Sequence, residues 1–383
     1  MEKAPLKEGP ALLPYRVERY LLLAVYCLLL TALSIHLYRT PIYSMDSIQY
    51  MGNALLMQER DPVRLHRRVY DEVNRIVPTR EREALLGHEA GAPADQNESR
   101  QERAANPYRF AEFLPLFAIR PLYNQTIYFI SKTGMDLIHS IQFISVAAYW
   151  LIGALLLLWI RGYVPPLFAV AASFLLMASP PLMELGREMT SDALATLVAF
   201  ASLYLIFERQ LLTPGLILLL ASVYFRTDFV VLAGPVILVC WLERRLGFWQ
   251  SAILAVLALS SALCIGHFAG DYGIKMLYYR NFIGTPAAPG EMTVQFSVRD
   301  YVGAFRSGIT KTAESFFLPF LLLGTIGLPL RRTRVLLGVT LSYVALHFVI
   351  LPNWQERWVG LFYLSAGVCA ITARTLPPKS APV

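Results

Sequence analysis

The residues with the most chemical potential lie at one set of helix ends. Asp46 falls in Tyr43-Ser44-Met45-Asp46-Ser47-Ile48-Gln49-Tyr50, just after the first long apolar run. The other apolar runs that end on the same side of a membrane carry Glu184/Arg187/Asp192, Arg226/Asp228, Asp271/Lys275 and Glu356/Arg357. A carboxylate held near a hydroxyl can take its proton. A planar guanidinium grips a phosphate through two parallel hydrogen bonds. Gathered on one face, while the other face is merely basic, the two groups look built for chemistry at that face. Each also has a plainer reading. Asp46 reads equally as a helix N-cap. Thr190 or Ser191 reads as a cap with Asp192 in the first turn, where a carboxylate favours the helix dipole. Arg226 reads as a snorkelling anchor or a surface pair with Asp228. Trp354 and Trp358 beside Arg357 read as an interfacial aromatic belt.

The elements that must position these groups are membrane helices. Of 383 residues 56% are hydrophobic, only 16% are charged, and mean hydropathy is +0.47. Soluble domains carry about 25% charged residues. Apolar runs cover about 18–38, 141–160, 164–179, 191–207, 211–225, 228–242, 249–269, 315–330, 335–352 and 358–373. A helix needs about 20 residues to cross hydrocarbon, and backbone in lipid must satisfy itself, so these runs predict about ten transmembrane helices. The fold expected is an all-α integral membrane protein, one membrane domain over 1–383. A large extracytoplasmic first loop spans 40–140 and a second spans 270–314. The first run, with no small-x-small cleavage site, reads as an uncleaved helix.

Charge sets the orientation. With the N-terminus inside and ten alternating spans, the inside segments hold thirteen basic and five acidic residues, a net of +8, against −1 outside. Both termini are then cytoplasmic, as for a multi-pass protein of the cell (inner) membrane. The pI of about 9.2 reflects cytoplasmic anchoring, not a nucleic-acid surface. Cys27, Cys240, Cys264 and Cys369 fall inside predicted spans and imply no disulfide framework. His139, His267 and His347 read as structural.

Within the first loop, Val63, Val69, Val73 and Ile76 recur at helical spacing, which predicts an amphipathic helix over 62–77 suited to the membrane interface. Pro78-Thr79 breaks it and starts a short helix with Glu81, Arg82 and Glu83. Segment 87–105 has few large apolar residues and reads as mobile. Segment 110–130 is apolar but broken by Pro115, Arg120 and Pro121, so no span is expected there.

Taken together, these stretches resemble the GT-C superfamily of membrane glycosyltransferases, such as protein O-mannosyltransferases and lipid A aminoarabinose transferases. Asp46 stands where those proteins place a catalytic carboxylate, although many have two adjacent acids and here Ser47 follows. Arg109 to Gln142 is similar to their proline-containing return before the second span. Glu184-Leu185-Gly186-Arg187 through Leu194 is similar to their acidic turn, and Tyr224-Phe225-Arg226-Thr227-Asp228 and Glu356-Arg357-Trp358 to their arginine turns. The resemblance implies an inverting transfer of sugar from a polyprenyl-phosphate carrier to a lipid or glycan acceptor. Asp46 would be the general base, and Arg226 and Arg357 would hold the lipid phosphate with Arg187 or Lys275. Glu184, Asp192, Asp228, Glu356 and Tyr50 would complete the substrate site. No nucleotide or other cofactor is implied, and no metal ligand set is indicated. The alternative is a multi-span transporter or flippase, since charges in membranes also mark transport paths. Transporters, however, place charges near the midplane of repeated halves, and no internal repeat is visible here.

Overall fold

The computed structural model describes residues 15–286, 288–291, 295 and 297–373. The basic residues expected at the cytoplasmic termini, Lys3, Lys7, Arg374 and Lys379, lie outside the described residues. The chain is 78% helical with no strand among the described residues. Four helices are long and apolar enough to cross a bilayer: Arg19–Arg39, Leu137–Ile160, Phe248–Ala269 and Arg331–Ile350. Pro166–Met177 and Pro180–Arg187, bent by 64°, make a fifth if the pair is one span. The remaining apolar runs are also helical, as Asp192–Leu203, Leu212–Phe225, Val230–Leu242, Phe317–Thr325 and Gly360–Thr372. These are shorter: 14 residues in Leu212–Phe225 reach about 21 Å at 1.5 Å per residue, less than the hydrocarbon thickness of about 30 Å.

Two hydrophobic cores divide the molecule. The larger joins the long helices, from Tyr26 and Leu30 through Tyr149, Phe200 and Phe229 to Tyr343 and Phe362. The faces turned away from it carry exposed Leu, Ile and Val, and only 22% of the Arg19–Arg39 window and 11% of the Phe248–Ala269 window are buried. That is the pattern of helices with one side in lipid.

The second core lies between residues 48 and 144, with Met189 and Met276 added. The predicted helix is present as Pro62–Ile76, capped by the Asp61 side chain on the Val63 amide. Its apolar face, however, turns inward: Leu65, Val69, Tyr70 and Val73 are buried, and Phe110 packs edge-on against Tyr70. It is therefore a core helix of the first loop, not a membrane-lying one. Segment 87–105 also differs from expectation. It contains a helix, Ala94–Ala105, whose buried face is polar, Ser99 and Arg103, with the Arg103 guanidinium 4.1 Å from the centre of the Phe113 ring. A hydropathy pattern cannot register a face built this way. Between 107 and 131 three short helices each start at a proline, Pro107–Phe113, Pro115–Ala118 and Pro121–Ser131. Proline is tolerated in a first helical turn and stops the preceding helix, so this apolar stretch folds back on itself.

Candidate functional site

The first loop is fastened to the apolar helices by short backbone contacts. Ile42 donates to the Arg187 carbonyl at 3.0 Å and pairs in parallel with Glu188. The helix Met45–Leu55 follows at once. Ser47 donates to the Met189 carbonyl at 3.2 Å, and the Tyr50 hydroxyl lies 3.5 Å from Ser191. Gly52 allows this helix to approach its neighbours, since a Cβ there would sit 2.6 Å from Leu114. The N-cap is Ser44, without a side-chain bond, and Asp46 lies in the first turn. Asp46 is thus free of the capping duty that was its plainer reading. Asp192 likewise begins its helix behind a Ser191 that makes no side-chain cap.

The result is a cavity of about 610 Å³ between the two cores. Its wall includes Asp46, Tyr50, Asp192, Arg226, Asp228 and Arg357. Six of the ten sequence-predicted site residues therefore meet in one place. The other four do not line it. Arg187 donates from Nε to the Thr40 carbonyl at 2.7 Å. Glu184 neighbours Glu356, Arg357 and Arg187 without reaching the cavity. Glu356 accepts from the Phe316 amide at 3.0 Å and from the Tyr363 hydroxyl. Lys275 is exposed on the helix Gly273–Phe282.

Ion pairs organise the wall. Asp192 is the hub: one oxygen meets Arg226 Nη1 and the other lies 3.3 Å from Arg357 Nε. Its side chain is only 6% exposed. Thr190 Oγ1 donates to it at 2.9 Å. Arg226 also pairs with Asp228 at 2.8 Å, and His347 meets the same carboxylate at 2.9 Å. Arg357 pairs with Glu188 and lies 3.5 Å from Asp46. Arg280 reaches Asp46 at 3.3 Å. Burial pushes the Asp46 carboxyl up, but Arg357, Arg280 and Arg120 together outweigh it and hold the group below the usual carboxylate range. Glu188 goes the other way. Burial, with Asp192 close by, lifts it to about 7 despite Arg357.

Two features escaped the sequence. Arg280 comes from the second loop, 234 residues from the carboxylate it touches, and no spacing links them. Arg120 was legible only as an interruption before Pro121. It lines the cavity, and its Nε and Nη1 are buried without a hydrogen-bond acceptor. It sits by the rings of Tyr50 and Phe117, 5.5 and 5.7 Å from their centres. Buried polar groups are normally paired, so an unfilled guanidinium at a cavity wall is a place for an anion. Arg226 and Arg357, by contrast, already face carboxylates.

Among the described residues no group of three His, Cys, Asp or Glu is arranged to hold a metal ion. No protein-family model, no curated protein and no solved structure matches this chain.

Proposed function

We propose that this protein is an integral-membrane, inverting glycosyltransferase of GT-C type that uses a polyprenyl-phosphate sugar, with about ten helices crossing or entering the bilayer. The observation that carries the reading is the pairing, in one 610 Å³ cavity, of an uncapped carboxylate, Asp46, with a buried guanidinium, Arg120, that lacks an acceptor. Asp46 takes the proton of the acceptor hydroxyl. The acceptor oxygen forms a bond to the anomeric carbon from the face opposite the phosphate. The bond from that carbon to the phosphate oxygen breaks, and the electron pair leaves with the lipid phosphate. Arg120 and Arg280 stabilise the growing charge. Arg226 and Arg357 hold Asp192, Asp228 and Glu188 in register and contribute field rather than direct contact. The phosphate position thereby moves from the arginine pair that the motifs suggest to Arg120, whose buried nitrogens lack acceptors, with Arg280 beside it.

The test is turnover by reconstituted protein of a panel of polyprenyl-phosphate sugars, with Asp46→Asn as control. An amide is nearly isosteric with the carboxylate and takes up no proton. Loss of a general base costs about 10²- to 10⁴-fold, so Asp46→Asn is expected to remain inserted and lose most turnover. Near wild-type turnover in that variant would remove Asp46 as base. Movement of the intact lipid-linked sugar between leaflets, with no bond broken, would replace the enzyme by a flippase.

A further inference from the structure

The helix Val298–Ala313 lies in the second loop and has three distinct sides. One side packs on the protein. Gly308 is buried against Phe348 and the Pro352 carbonyl, where a Cβ would come within 2.6 Å of that oxygen. Phe305 meets Phe348 with ring centres 5.1 Å apart, and the Tyr301 hydroxyl donates to the Val349 carbonyl. The second side is apolar and bare. Val298 is 80% exposed, Val302 58% and Ile309 52%. At 100° per residue these three fall within one narrow stripe, because they are four and seven positions apart. The third side carries Arg299, Arg306 and Ser307, all exposed.

What covers the bare stripe follows from its neighbours. The helix rests on the end of Arg331–Ile350, a helix long and apolar enough to cross a bilayer. Leu346, Val349 and Ile350 of that end are 46%, 54% and 43% exposed. These are lipid-facing residues in the membrane reading, and they lie at the level of the Tyr301 contact. The stripe therefore continues an existing lipid-facing surface. A helix with an apolar stripe beside an arginine-bearing face lies in the plane of a membrane interface, with the arginines among headgroups.

We infer that Val298–Ala313 is a membrane-lying ledge, its stripe sunk in the leaflet at the cavity end of the molecule and Arg299 and Arg306 engaging anionic lipid headgroups. The same end of Arg331–Ile350 gives His347 to the cavity wall, so the ledge borders the site from the lipid side. The inference rests on the chain lying in a bilayer and not on the glycosyltransferase reading. The interfacial role that amphipathic spacing suggested for Pro62–Ile76 thus falls to another helix.

The test uses full-length protein carrying Cys264→Ser, which removes the exposed native thiol. Single cysteines replace Val302 or Ser307 and carry an environment-sensitive fluorophore. Vesicles contain phosphatidylcholine with or without phosphatidylglycerol. Quenching by a spin-labelled lipid is expected to dominate at position 302, and quenching by aqueous iodide at position 307. Ile309→Cys serves if Val302→Cys fails to fold, and the same pattern is expected of it. A label at the stripe that iodide reaches as well as at 307 overturns the inference. A label shielded from both quenchers also overturns it, and points to a second protein surface instead of lipid. Removing phosphatidylglycerol is expected to raise iodide quenching at 302, and Arg299→Gln with Arg306→Gln to abolish that lipid dependence. Equal quenching in both lipid mixtures overturns the headgroup contact.

Discussion

At the scale of the residue, the cavity separates guanidiniums that are spent from one that is spare. Arg226 and Arg357 each balance two or more carboxylates. Removing either leaves buried charge without its partner, which costs about 3–5 kcal/mol. Arg226→Gln is accordingly expected to lower thermal stability sharply, read as the unfolding midpoint in detergent. Arg120 makes no such pairs, and its buried nitrogens lack acceptors. Arg120→Gln is expected to leave the midpoint unchanged or raise it, while turnover of a lipid-linked sugar falls about 10²- to 10³-fold, as for loss of one preorganised donor. A stability loss equal to that of Arg226→Gln would make Arg120 structural. Glu188 yields a pH signature. With the carboxyl lifted to about 7 from 4.5, the folded chain keeps a proton that the unfolded chain has released between these values. Its contribution to stability is therefore largest at low pH and declines as pH rises through that window. Glu188→Gln is expected to flatten the fall in midpoint between pH 5 and pH 8, as measured by thermal scans, and an unchanged slope would assign the titration elsewhere. Residue types at helix ends marked Asp46, Asp192, Arg226, Asp228 and Arg357, because a charge at the end of an apolar run stands out. Arg280 and Glu188 were not legible in this way. Their roles depend on a fold-back that brings the second loop to Asp46 and the residue-188 turn to Arg357.

At the scale of the element, hydropathy locates the four helices that, among the described residues, are long and apolar enough to cross a bilayer, but not their surroundings. Apolar period alone cannot tell a face that meets lipid from one that meets another helix. For this reason the period of Pro62–Ile76 suggests a membrane interface although Leu65, Val69, Tyr70 and Val73 are buried in the protein, and it gives no sign of Val298–Ala313. The Ala94–Ala105 helix was missed because its buried face is Ser99 and Arg103. Ser99 donates to the Pro286 carbonyl at 3.1 Å, so this polar face ties the two loops together over the cavity. Met45–Leu55 is the element on which the site depends most. Nine of its residues are buried, and it bears both Asp46 and Tyr50. Gly52→Val is expected to push it off Leu114 and Phe110, which lie 2.6 and 2.8 Å from the new Cβ. Overpacking of a well-filled core costs about 1–3 kcal/mol. The variant should lose both stability and turnover, and a smaller Leu114→Ala change in the same chain should restore part of each. Failure of that rescue, with Gly52→Val as stable as wild type, would mean that the helix tolerates displacement.

At the scale of the whole molecule, charge asymmetry and cavity position make one joint statement. The expected inside segments gather a net +8 and the expected outside a net −1. The cavity and the second core fall at the end with the balanced charge. At the other end Arg331-Arg332-Thr333-Arg334 opens a long helix, and Arg332 pairs with Glu208 and the Tyr163 hydroxyl. A basic turn at one end of a span is held on the cytoplasmic side during insertion. If that holds for this helix, its far end at His347, and the cavity with it, face the other compartment. Ala90 is exposed in the first loop and does not itself line the cavity, although its neighbour Glu89 does, which makes it a site for a reporter. Ala90→Cys in sealed cells is expected to react with a membrane-impermeant maleimide added outside, while a cysteine replacing the exposed Arg331 reacts only after the membrane is opened. The reverse pattern would turn the molecule over. The cavity would then draw its acceptor from the cytoplasm, and a donor sugar on the outer leaflet would be out of its reach.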